Sequence, residues 1–366
     1  MDEPRPRKRI VIAGGGTGGH LTPALALADE LVGRGCEVLL VGAPRGPDRE
    51  LLPKSGHPYR ILSAPALERR RWWRNVWLPA SLAAAVARAR GVVRAYRPHV
   101  AVGTGGYVMA PVMAAARLGR VPIVLQEQNS VPGVATRIAA RWASVVCVQF
   151  AESAGALGSA RVAVTGSPIA APVPAEADFA ARLDPALPTV GVFGGSQGAR
   201  ALNDAVISMC GSEPAAALFN LVWQTGAADH ERAARAAAWP ERFVVRPFFS
   251  PMAAVYPLLD VIVCRAGAMT LAEVTAWGIP SILVPYPLAT GDHQAGNARA
   301  VAEAGAALVV PQEALGAGLE GALGGLLADE ERRRAMADAA RALGRPDAAA
   351  RVADRVLALV PSAEAA

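Results

Sequence analysis

Short apolar runs alternate with longer segments of helical pattern along this chain, and that alternation limits the possible folds more than any other feature. Val261, Ile262 and Val263 form a run without a polar residue, which predicts a parallel strand buried on both faces. Similar runs begin at Arg9 and Thr189, and each of them leads into a glycine-rich loop. The alternation predicts doubly wound α/β sheets, and the repeated opening predicts two similar domains.

The elements and domain limits follow from these runs. Strands are predicted at residues 9–13, 37–41, 100–102, 123–125, 145–148, 162–164, 189–193 and 282–285, and helices at 21–33, 81–96 and 347–360. Residues 168–174 are proline-rich and cannot lie inside a sheet, so we expect a linker at 168–188. Residues 1–167 and 189–345 would then form the domains, and the C-terminal helix within 346–366 is expected to pack back on the first.

Composition limits the class of protein. With 366 residues, 52% of them hydrophobic, the chain can form two domains with full cores. Its four cysteines are scattered through apolar runs, which predicts reduced core residues rather than disulfides or zinc ligands. The charged N-terminus disfavours a signal peptide, and no apolar run reaches the length of a membrane span. The net charge of +6 favours an anionic partner, which could be nucleic acid, lipid or a phosphorylated substrate.

The stretch from Asp260 to Asn297 predicts a nucleotide-sugar site. Gly267 leaves room for a tight turn after the strand, and a helix then begins near Met269 whose first amides can hold an anion. Glu273, one turn inside that helix, is placed to accept hydrogen bonds from the vicinal hydroxyls of a ribose. The alternative interpretation is that Thr270 and Glu273 form only a capping box.

Other residues of the second half suit the same ligand. Gln294 follows the next strand, and its amide suits sugar hydroxyls, although a surface role is the alternative. Ser196, in the second glycine loop, can offer a hydroxyl to a phosphate, and Phe249 ends a strand where backbone groups could contact a flat base. Because no D-x-D motif is present, we expect no metal and assign leaving-group charge to helix amides, Ser196 and Arg265.

The first glycine loop, Gly14 to His20, matches G-x-G-x-x-G after a strand. A nicotinamide-binding unit would carry an acidic residue at the end of its second strand, and Gly42 ends this strand without one, which disfavours a dehydrogenase. His20 stands where the loop turns into a helix, and the helix dipole favours the neutral imidazole that a general base requires. A capping or packing role for His20 is the alternative.

Two more strand ends of the first half carry glycine or polar residues. The loop that contains Gly105, Gly106 and Tyr107 follows one strand, and Glu127 with Asn129 follows the next. Open parallel sheets bind ligands at the carboxyl ends of their strands, so these residues are expected near a site, with surface loops as the alternative. Glu127 could act as a base or orient His20.

Arginines and tryptophans are interleaved between residues 67 and 78. Tryptophan prefers the headgroup level of a bilayer and arginine its anionic phosphates, so this segment predicts a peripheral membrane contact. A solvated helix face and base stacking on RNA are the alternatives. The predicted contact consists of Arg69, Arg70, Arg71, Trp72, Trp73, Arg74 and Trp77.

Six motifs of the chain resemble those of glycosyltransferase family 28 in order and spacing. They read GGGTGGH, GTGGYV, QEQN, GGSQGAR, CRAGAMTLAE and DHQAGNA, and they span nearly the whole chain. The resemblance implies a GT-B fold, in which two Rossmann-like domains face each other across a cleft. It also implies inverting transfer of N-acetylglucosamine from UDP-N-acetylglucosamine to the 4-hydroxyl of undecaprenyl-pyrophosphoryl-muramoyl-pentapeptide in peptidoglycan synthesis. Transfer of another UDP-sugar to a lipid acceptor is the alternative.

The resemblance further implies a peripheral location on the cytoplasmic face of the bacterial inner membrane, with an anionic membrane surface as a partner and with no cofactor and no nucleic acid. His20 and Glu127 are the candidate catalytic residues, and Gly105, Gly106 and Tyr107 are expected to contact the acceptor. The expected donor-binding residues are Thr17, Gly18, Gly19, Asn129, Ser196, Phe249, Arg265, Ala268, Met269, Thr270, Glu273 and Gln294. Departures from residues common in the family occur at Gln126, Ser167 and Ala170.

Overall fold

A computed structural model describes residues 7–65, 77–158, 160–171, 177–210, 218–237, 241–289 and 292–361. The chain divides into two compact units. The first comprises Met1–Ala170 with Pro346–Ala366, and the second comprises Ala171–Arg345. The chain thus passes from one unit to the other within the segment where a linker is expected.

The first unit contains a parallel sheet covered by helices on both faces. Its strands are β1 (Arg9–Gly14), β2 (Glu37–Gly42), β3 (Tyr59–Ile61), β4 (Val100–Gly105), β5 (Ile123–Glu127), β6 (Val145–Val148) and β7 (Val162–Val164). The helices that follow in this segment are α1 (Gly18–Gly33), α2 (Asp48–Lys54), α3 (Leu78–Tyr96), α4 (Met109–Leu118) and α5 (Val134–Ala139). The strands lie in the order β3-β2-β1-β4-β5-β6-β7.

The second unit repeats this architecture. Its strands are β8 (Thr189–Phe193), β9 (Asn220–Gln224), β10 (Phe243–Arg246), β11 (Val261–Cys264), β12 (Ser281–Leu283) and β13 (Ala307–Val309). Its helices are α6 (Ala177–Ala180), α7 (Arg200–Cys210), α8 (His230–Ala236), α9 (Ala268–Trp277), α10 (His293–Glu303), α11 (Leu315–Ala328) and α12 (Glu330–Leu343). The strand order is β10-β9-β8-β11-β12-β13, and every pairing is parallel. The two sheets confirm the predicted pair of Rossmann-like α/β domains.

Strand β1 shows why an uninterrupted apolar run predicts a buried strand. Val11 and Ala13 pack into the core on one face of the sheet, together with residues of α3 and α4. Ile10 and Ile12 pack into a separate core on the other face, together with residues of α1. Successive side chains of a strand point to opposite faces, so both sets must be apolar.

The C-terminal helix α13 (Ala348–Leu357) belongs to the first unit. Val352 and Val356 are fully buried in the core that also contains residues of α1 and β1. At the surface, Arg34 of α1 donates hydrogen bonds to Asp354 Oδ1 at 2.5 Å and to the carbonyl oxygen of Ala350 at 3.3 Å. An apolar stripe and a peripheral ion pair therefore hold the end of the chain on the first sheet.

Helix α1 begins three residues before its predicted start. Thr17 has an extended backbone (φ −145°, ψ 157°) and occupies the N-cap position, and its carbonyl oxygen accepts hydrogen bonds from the amides of His20 and Leu21 at 3.2 and 3.1 Å. Gly18 and Gly19, which read as loop residues because glycine disfavours helices, are the first two residues of α1. The glycine loop is therefore shorter than predicted, and His20 lies within the first helical turn.

All four cysteines are buried and free, as predicted. Burial raises the pKa of the Cys147 thiol to about 11 and that of Cys264 to about 12. Within the part of the chain that the structure describes, no helix is both long and apolar enough to cross a bilayer.

Candidate active site

The first sheet has its topological switch point between β1 and β4, and the loops that follow these strands border the crevice where open α/β sheets bind ligands. The two loops are packed closely together. A methyl group added to Gly106 would lie 2.1 Å from the carbonyl oxygen of Gly15, and one added to Gly16 would lie 2.7 Å from the ring of Tyr107. Both glycines also have positive φ, 79° at Gly106 and 86° at Gly16. Glycine is required at Gly106 because it touches the backbone of the other loop, and at Gly16 because the Tyr107 ring lies against it.

Asp48 stabilises the first glycine loop through hydrogen bonds from its side chain. Its side chain is fully buried and accepts hydrogen bonds from the amides of Gly16 at 2.8 Å and Ala43 at 2.6 Å. This residue was missed by the sequence interpretation, since it lies in a charged segment that looks like ordinary surface. Its two bonds join the loop after β1 to the end of β2, and they leave the Gly16 amide unavailable to a ligand.

His20 is held on the loop after β4. A methyl group added to Gly105 would lie 2.3 Å from His20 Nδ1, so the imidazole ring packs directly over that glycine. The carbonyl oxygen of His20 accepts a hydrogen bond from Thr104 Oγ1 at 2.8 Å, and Gln128 Nε2 donates to the carbonyl oxygen of Thr104 at 2.8 Å. These contacts fix the half-buried ring at the switch point, which a general base needs.

Glu127 is buried, and its carboxylate is occupied by its own loop. Oε1 accepts hydrogen bonds from the backbone and side-chain nitrogens of Asn129 at 3.1 and 3.2 Å, and Oε2 accepts one from the amide of Gly133 at 3.2 Å. Both carboxylate oxygens are thus already engaged by groups of the same loop, which leaves them less available to a substrate hydroxyl. This geometry favours His20 over Glu127 as the base, and Glu127 as the residue that shapes the loop around Asn129.

Two of the departures from the family pattern contact each other. Gln126 is fully buried, and its Nε2 donates to Ser167 Oγ at 3.3 Å and to the carbonyl oxygen of Gly166 at 3.0 Å. Gln126 and Ser167 thus form one internal hydrogen bond between the end of β5 and the segment after β7. They act as a structural pair.

The second sheet has its switch point between β8 and β11, and the glycine loop after β8 lies there. Ser196 is exposed in this loop, close to the start of α7. Gln224, at the end of β9, donates from Nε2 to the carbonyl oxygen of Gly195 at 3.1 Å and accepts from the amide of Phe249 at 2.9 Å. Gln224 was also missed from sequence. It joins the loop expected to bind phosphate to the segment expected to bind the base.

Phe249 is buried and packs against Phe179 and Phe193, with ring centroids 5.8 and 6.2 Å apart. Its amide donates to Gln224, so the backbone contact with a base that we expected at this residue would have to use the carbonyl oxygen. Phe248, by contrast, is exposed.

Helix α9 begins without a capping side chain, which makes the capping-box interpretation of Thr270 and Glu273 wrong. The N-cap residue is Gly267, and Thr270 is the third residue of the helix. The first amides of α9, at Ala268, Met269 and Thr270, have no intrahelical acceptors and lie just beyond the end of β11. They form the kind of N-terminus that binds anions.

Half-buried Glu273 and buried Tyr256 form a pair behind this helix start. Tyr256 donates from its hydroxyl to Glu273 Oε2 at 2.6 Å. Burial raises the pKa of Glu273, and the hydrogen bond from Tyr256 opposes that shift. Burial also raises the pKa of Tyr256 well above its usual value, and the neighbouring carboxylate adds to that shift. The tyrosine is therefore a neutral hydrogen-bond donor to the glutamate.

Arg265 is half-buried, and acceptors in the segments after β12 and β13 take up much of its donor capacity. Nη1 donates to the carbonyl oxygens of Val284 and Pro285 at 3.1 and 3.3 Å, and Nη2 donates to Gln312 Oε1 at 2.6 Å. Burial lowers the pKa of Arg265. Arg265 thus fixes the strand ends and adds positive potential, with fewer donors left for a ligand than its five N–H groups would provide.

Gln294 is tied to the segment after β12. Its Oε1 accepts a hydrogen bond from the amide of Tyr286 at 2.9 Å, which orients the side-chain amide nitrogen of Gln294 for donation.

The predicted membrane residues Arg69, Arg70, Arg71, Trp72, Trp73 and Arg74 lie outside the described residues. Trp77, which precedes α3, is described, and 75% of its surface is exposed.

Comparisons with known proteins identify both units. The Glycosyltransferase family 28 N-terminal domain matches residues 10–148, and the Glycosyltransferase family 28 C-terminal domain matches residues 189–352. The UDP-N-acetylglucosamine--N-acetylmuramyl-(pentapeptide) pyrophosphoryl-undecaprenol N-acetylglucosamine transferase of Chlorobaculum parvum is 42% identical, with 97% of this chain and 100% of the relative covered. The protein of the same name from Desulforudis audaxviator is 40% identical, with 93% of this chain and 95% of the relative covered.

Solved structures agree with these relatives. The crystal structure of MurG from Acinetobacter baumannii is 30% identical and superimposes with a TM-score of 0.77, covering 96% of this chain and 100% of that chain. The calicheamicin glycosyltransferase CalG4 has a TM-score of 0.72 at 18% identity, covering 97% of this chain and 98% of that chain. At that identity CalG4 shows a shared fold only.

Proposed function

This chain belongs to glycosyltransferase family 28, and we propose that it transfers N-acetylglucosamine from UDP-N-acetylglucosamine to N-acetylmuramyl-(pentapeptide) pyrophosphoryl-undecaprenol. The observation that carries the proposal is identity of about 40% with transferases of that name over more than nine-tenths of the chain. The product would be a lipid-linked disaccharide, as peptidoglycan synthesis requires.

We assign the UDP moiety to the second unit. The exposed hydroxyl of Ser196 and the amides at the start of α9 supply neutral donors at one switch point, which suits a diphosphate. Glu273, one turn inside α9, suits the ribose hydroxyls, because a carboxylate accepts hydrogen bonds and donates none. Gln294 would bind the hydroxyls of the sugar, and the Phe249 carbonyl group would contact the uracil.

We assign the general base to the first unit. The oxygen of the acceptor 4-hydroxyl attacks C1 of N-acetylglucosamine while His20 removes its proton, and the bond from C1 to the UDP oxygen breaks. Attack on the face opposite UDP inverts the configuration at C1. The charge that develops on the leaving phosphate is stabilised by the amides of α9 and by Ser196. Asn129 and residues 17–19 would contact the transferred sugar.

The acceptor carries a long lipid, so we also propose that the enzyme works at an anionic membrane surface, on the cytoplasmic face of the inner membrane. Trp77 supports this proposal, because a large amphipathic ring that is mostly exposed suits the headgroup level of a bilayer. Gly105, Gly106 and Tyr107, on the first unit, are the expected contacts of the acceptor sugar.

The test is incubation of the purified chain with radiolabelled UDP-N-acetylglucosamine and a short-chain analogue of the lipid acceptor. We expect label to move into the lipid fraction, and none to move when the acceptor is omitted. UDP-glucose and UDP-N-acetylgalactosamine, supplied separately, should be poor donors. Efficient transfer of another sugar would support the alternative donor class, and absence of both transfer and UDP binding would remove the proposal.

A further inference from the structure

We propose that Tyr256 is a positioning residue for donor recognition: its hydroxyl holds one oxygen of the Glu273 carboxylate and leaves the other to accept hydrogen bonds from the ribose. The inference rests on the proposed function, since it takes the ribose of UDP as the ligand of Glu273. The observation that carries it is the 2.6 Å hydrogen bond from the Tyr256 hydroxyl to Glu273 Oε2.

The fold brings these residues together around a single strand. Tyr256 begins the short 3₁₀ helix Tyr256–Leu258 before β11, and Glu273 lies on α9, the helix that follows β11. The Tyr256 ring also packs against Trp277, with centroids 6.4 Å apart, and Trp277 lies one turn beyond Glu273 on α9. Tyr256 is only 3% exposed, so its ring is fixed by packing and its hydroxyl has a defined position.

The hydrogen bond opposes the effect of burial on the carboxylate. Burial favours the protonated form of Glu273. Protonation would turn one carboxyl oxygen into a donor and weaken the hydrogen bonds that Glu273 accepts from two hydroxyl groups. Tyr256 faces Glu273 from the turn before β11, and Cys264 of β11 faces Tyr256. Burial keeps the Cys264 thiol neutral. Tyr256 therefore favours the charged, acceptor-only form of Glu273.

A carboxylate has about four lone-pair sites, and the Tyr256 hydroxyl takes one of them. Three sites then remain for the two ribose hydroxyls, so binding of the donor need not displace the tyrosine. This arrangement predicts that Tyr256 contributes to discrimination between ribose and 2′-deoxyribose without touching either sugar.

Tyr256→Phe removes the hydroxyl and keeps the ring against Trp277. We expect the donor KM to rise about tenfold, the scale of one hydrogen bond to a charged group, while kcat at saturating donor and the acceptor KM change little. The acidic limb of kcat/KM for the donor should move to higher pH, and discrimination against the 2′-deoxyuridine analogue should fall. Tyr96→Phe is the matched control, because Tyr96 carries a buried hydroxyl without a hydrogen-bond partner among the described residues.

Binding of UDP and of 2′-deoxy-UDP, measured by calorimetry, separates this inference from the proposed function because it needs no transfer. Tyr256→Phe should reduce the preference for UDP, and in the Glu273→Gln background it should cause no further loss. If the losses of UDP affinity caused by the two substitutions multiplied in the double variant, the inference would be overturned. A fall in kcat and Tm with an unchanged acidic limb and an unchanged ribose preference would also overturn it, because packing alone would then explain the tyrosine.

Discussion

The two glycine loops look alike in sequence, but different side chains support them. The loop after β1 rests on Asp48, a buried carboxylate that accepts a hydrogen bond from the amide of Gly16. The loop after β8 rests on Gln224, a buried neutral amide that donates to the carbonyl oxygen of Gly195. Asp48 thus occupies an N–H group of its loop and adds a negative charge, whereas Gln224 occupies a carbonyl group of its loop and adds no charge.

This difference predicts different binding roles for the two loops. A phosphate is disfavoured next to a buried carboxylate, so the second loop, which is supported by a neutral amide, is the better diphosphate site. The first loop is suited to hold His20 and the acceptor, and the expected contacts of Thr17, Gly18 and Gly19 with the donor would then be mainly to its sugar. A G-x-G pattern alone does not distinguish these roles.

The largest expected effect belongs to the first unit. His20→Ala should lower kcat by roughly 10²–10⁴ with the donor affinity nearly intact, because general-base catalysis contributes on that scale. Steady-state kinetics together with UDP binding would measure both quantities. His57→Ala is the matched control, since His57 pairs with Asp29 at the surface, 2.7 Å away. Near-normal kcat in His20→Ala with a large loss in Glu127→Ala would exchange the roles of these two residues.

The next effect belongs to the second unit and should appear in donor binding. Glu273→Ala should cost on the order of 2–3 kcal/mol in kcat/KM for the donor, through loss of charge-assisted hydrogen bonds to the ribose. The acceptor KM should stay unchanged. Equal use of UDP-N-acetylglucosamine and its 2′-deoxyuridine analogue by the natural enzyme would show that Glu273 has another role.

Substitutions that change the charge of Gln224 and Asp48, the residues that support the two loops, test the comparison directly. Gln224→Glu places a negative charge under the second loop and removes the donor to Gly195, so UDP should bind about tenfold more weakly, and more so at low salt. Asp48→Asn should change UDP affinity little but lower the stability by about 1–3 kcal/mol, because its amide cannot accept from both Gly16 and Ala43.

Calorimetric titration with UDP and thermal unfolding would measure the two effects in both variants. Equal loss of UDP affinity in Asp48→Asn and Gln224→Glu would contradict the division between the loops. Arg351→Gln, in an exposed ion pair with Asp347, provides a charge-changing control that should alter neither quantity.

Most strands of the two sheets could be predicted from the sequence because burial on both faces leaves a local signature, but β3, β9, β10 and β13 were not predicted. β1, β6, β8 and β11 all lie where continuous apolar runs placed them. The start of α1 could not be predicted in this way. Gly18 and Gly19 disfavour a helix by propensity, and tertiary packing of His20 over Gly105 overrides that preference.

The supporting residues of the site escaped prediction because their partners are distant in sequence. Asp48 bonds to a residue 32 positions away, Gln224 to one 25 positions away, and Tyr256 to one 17 positions away. Local spacing indicates which residues could reach a ligand from a strand end or a helix start, and it gives that prediction for Ser196 and Glu273. It does not reveal which side chains hold those residues in place.

The smallest effect contrasts two glutamates, buried Glu127 of the first unit and half-buried Glu273 of the second. Glu127 is satisfied by three N–H groups, whereas Glu273 has one hydroxyl donor and a pKa raised by burial. A glutamate whose folded-state pKa is raised destabilises the protein as pH rises from its unfolded pKa through its folded pKa, and the penalty persists above both.

Glu273→Gln carries no charge and keeps an oxygen that can accept from Tyr256. Its Tm should therefore exceed that of the natural protein at neutral pH by about 2–4 °C, and the difference should shrink towards zero below about pH 4. Glu127→Gln should instead lower the Tm at neutral pH, because an amide cannot replace a carboxylate that accepts on both oxygens. Differential scanning calorimetry from pH 4 to 8 would measure both variants. A higher Tm for Glu127→Gln, or a gain for Glu273→Gln that does not vary with pH, would mean that burial affects these two carboxylates alike.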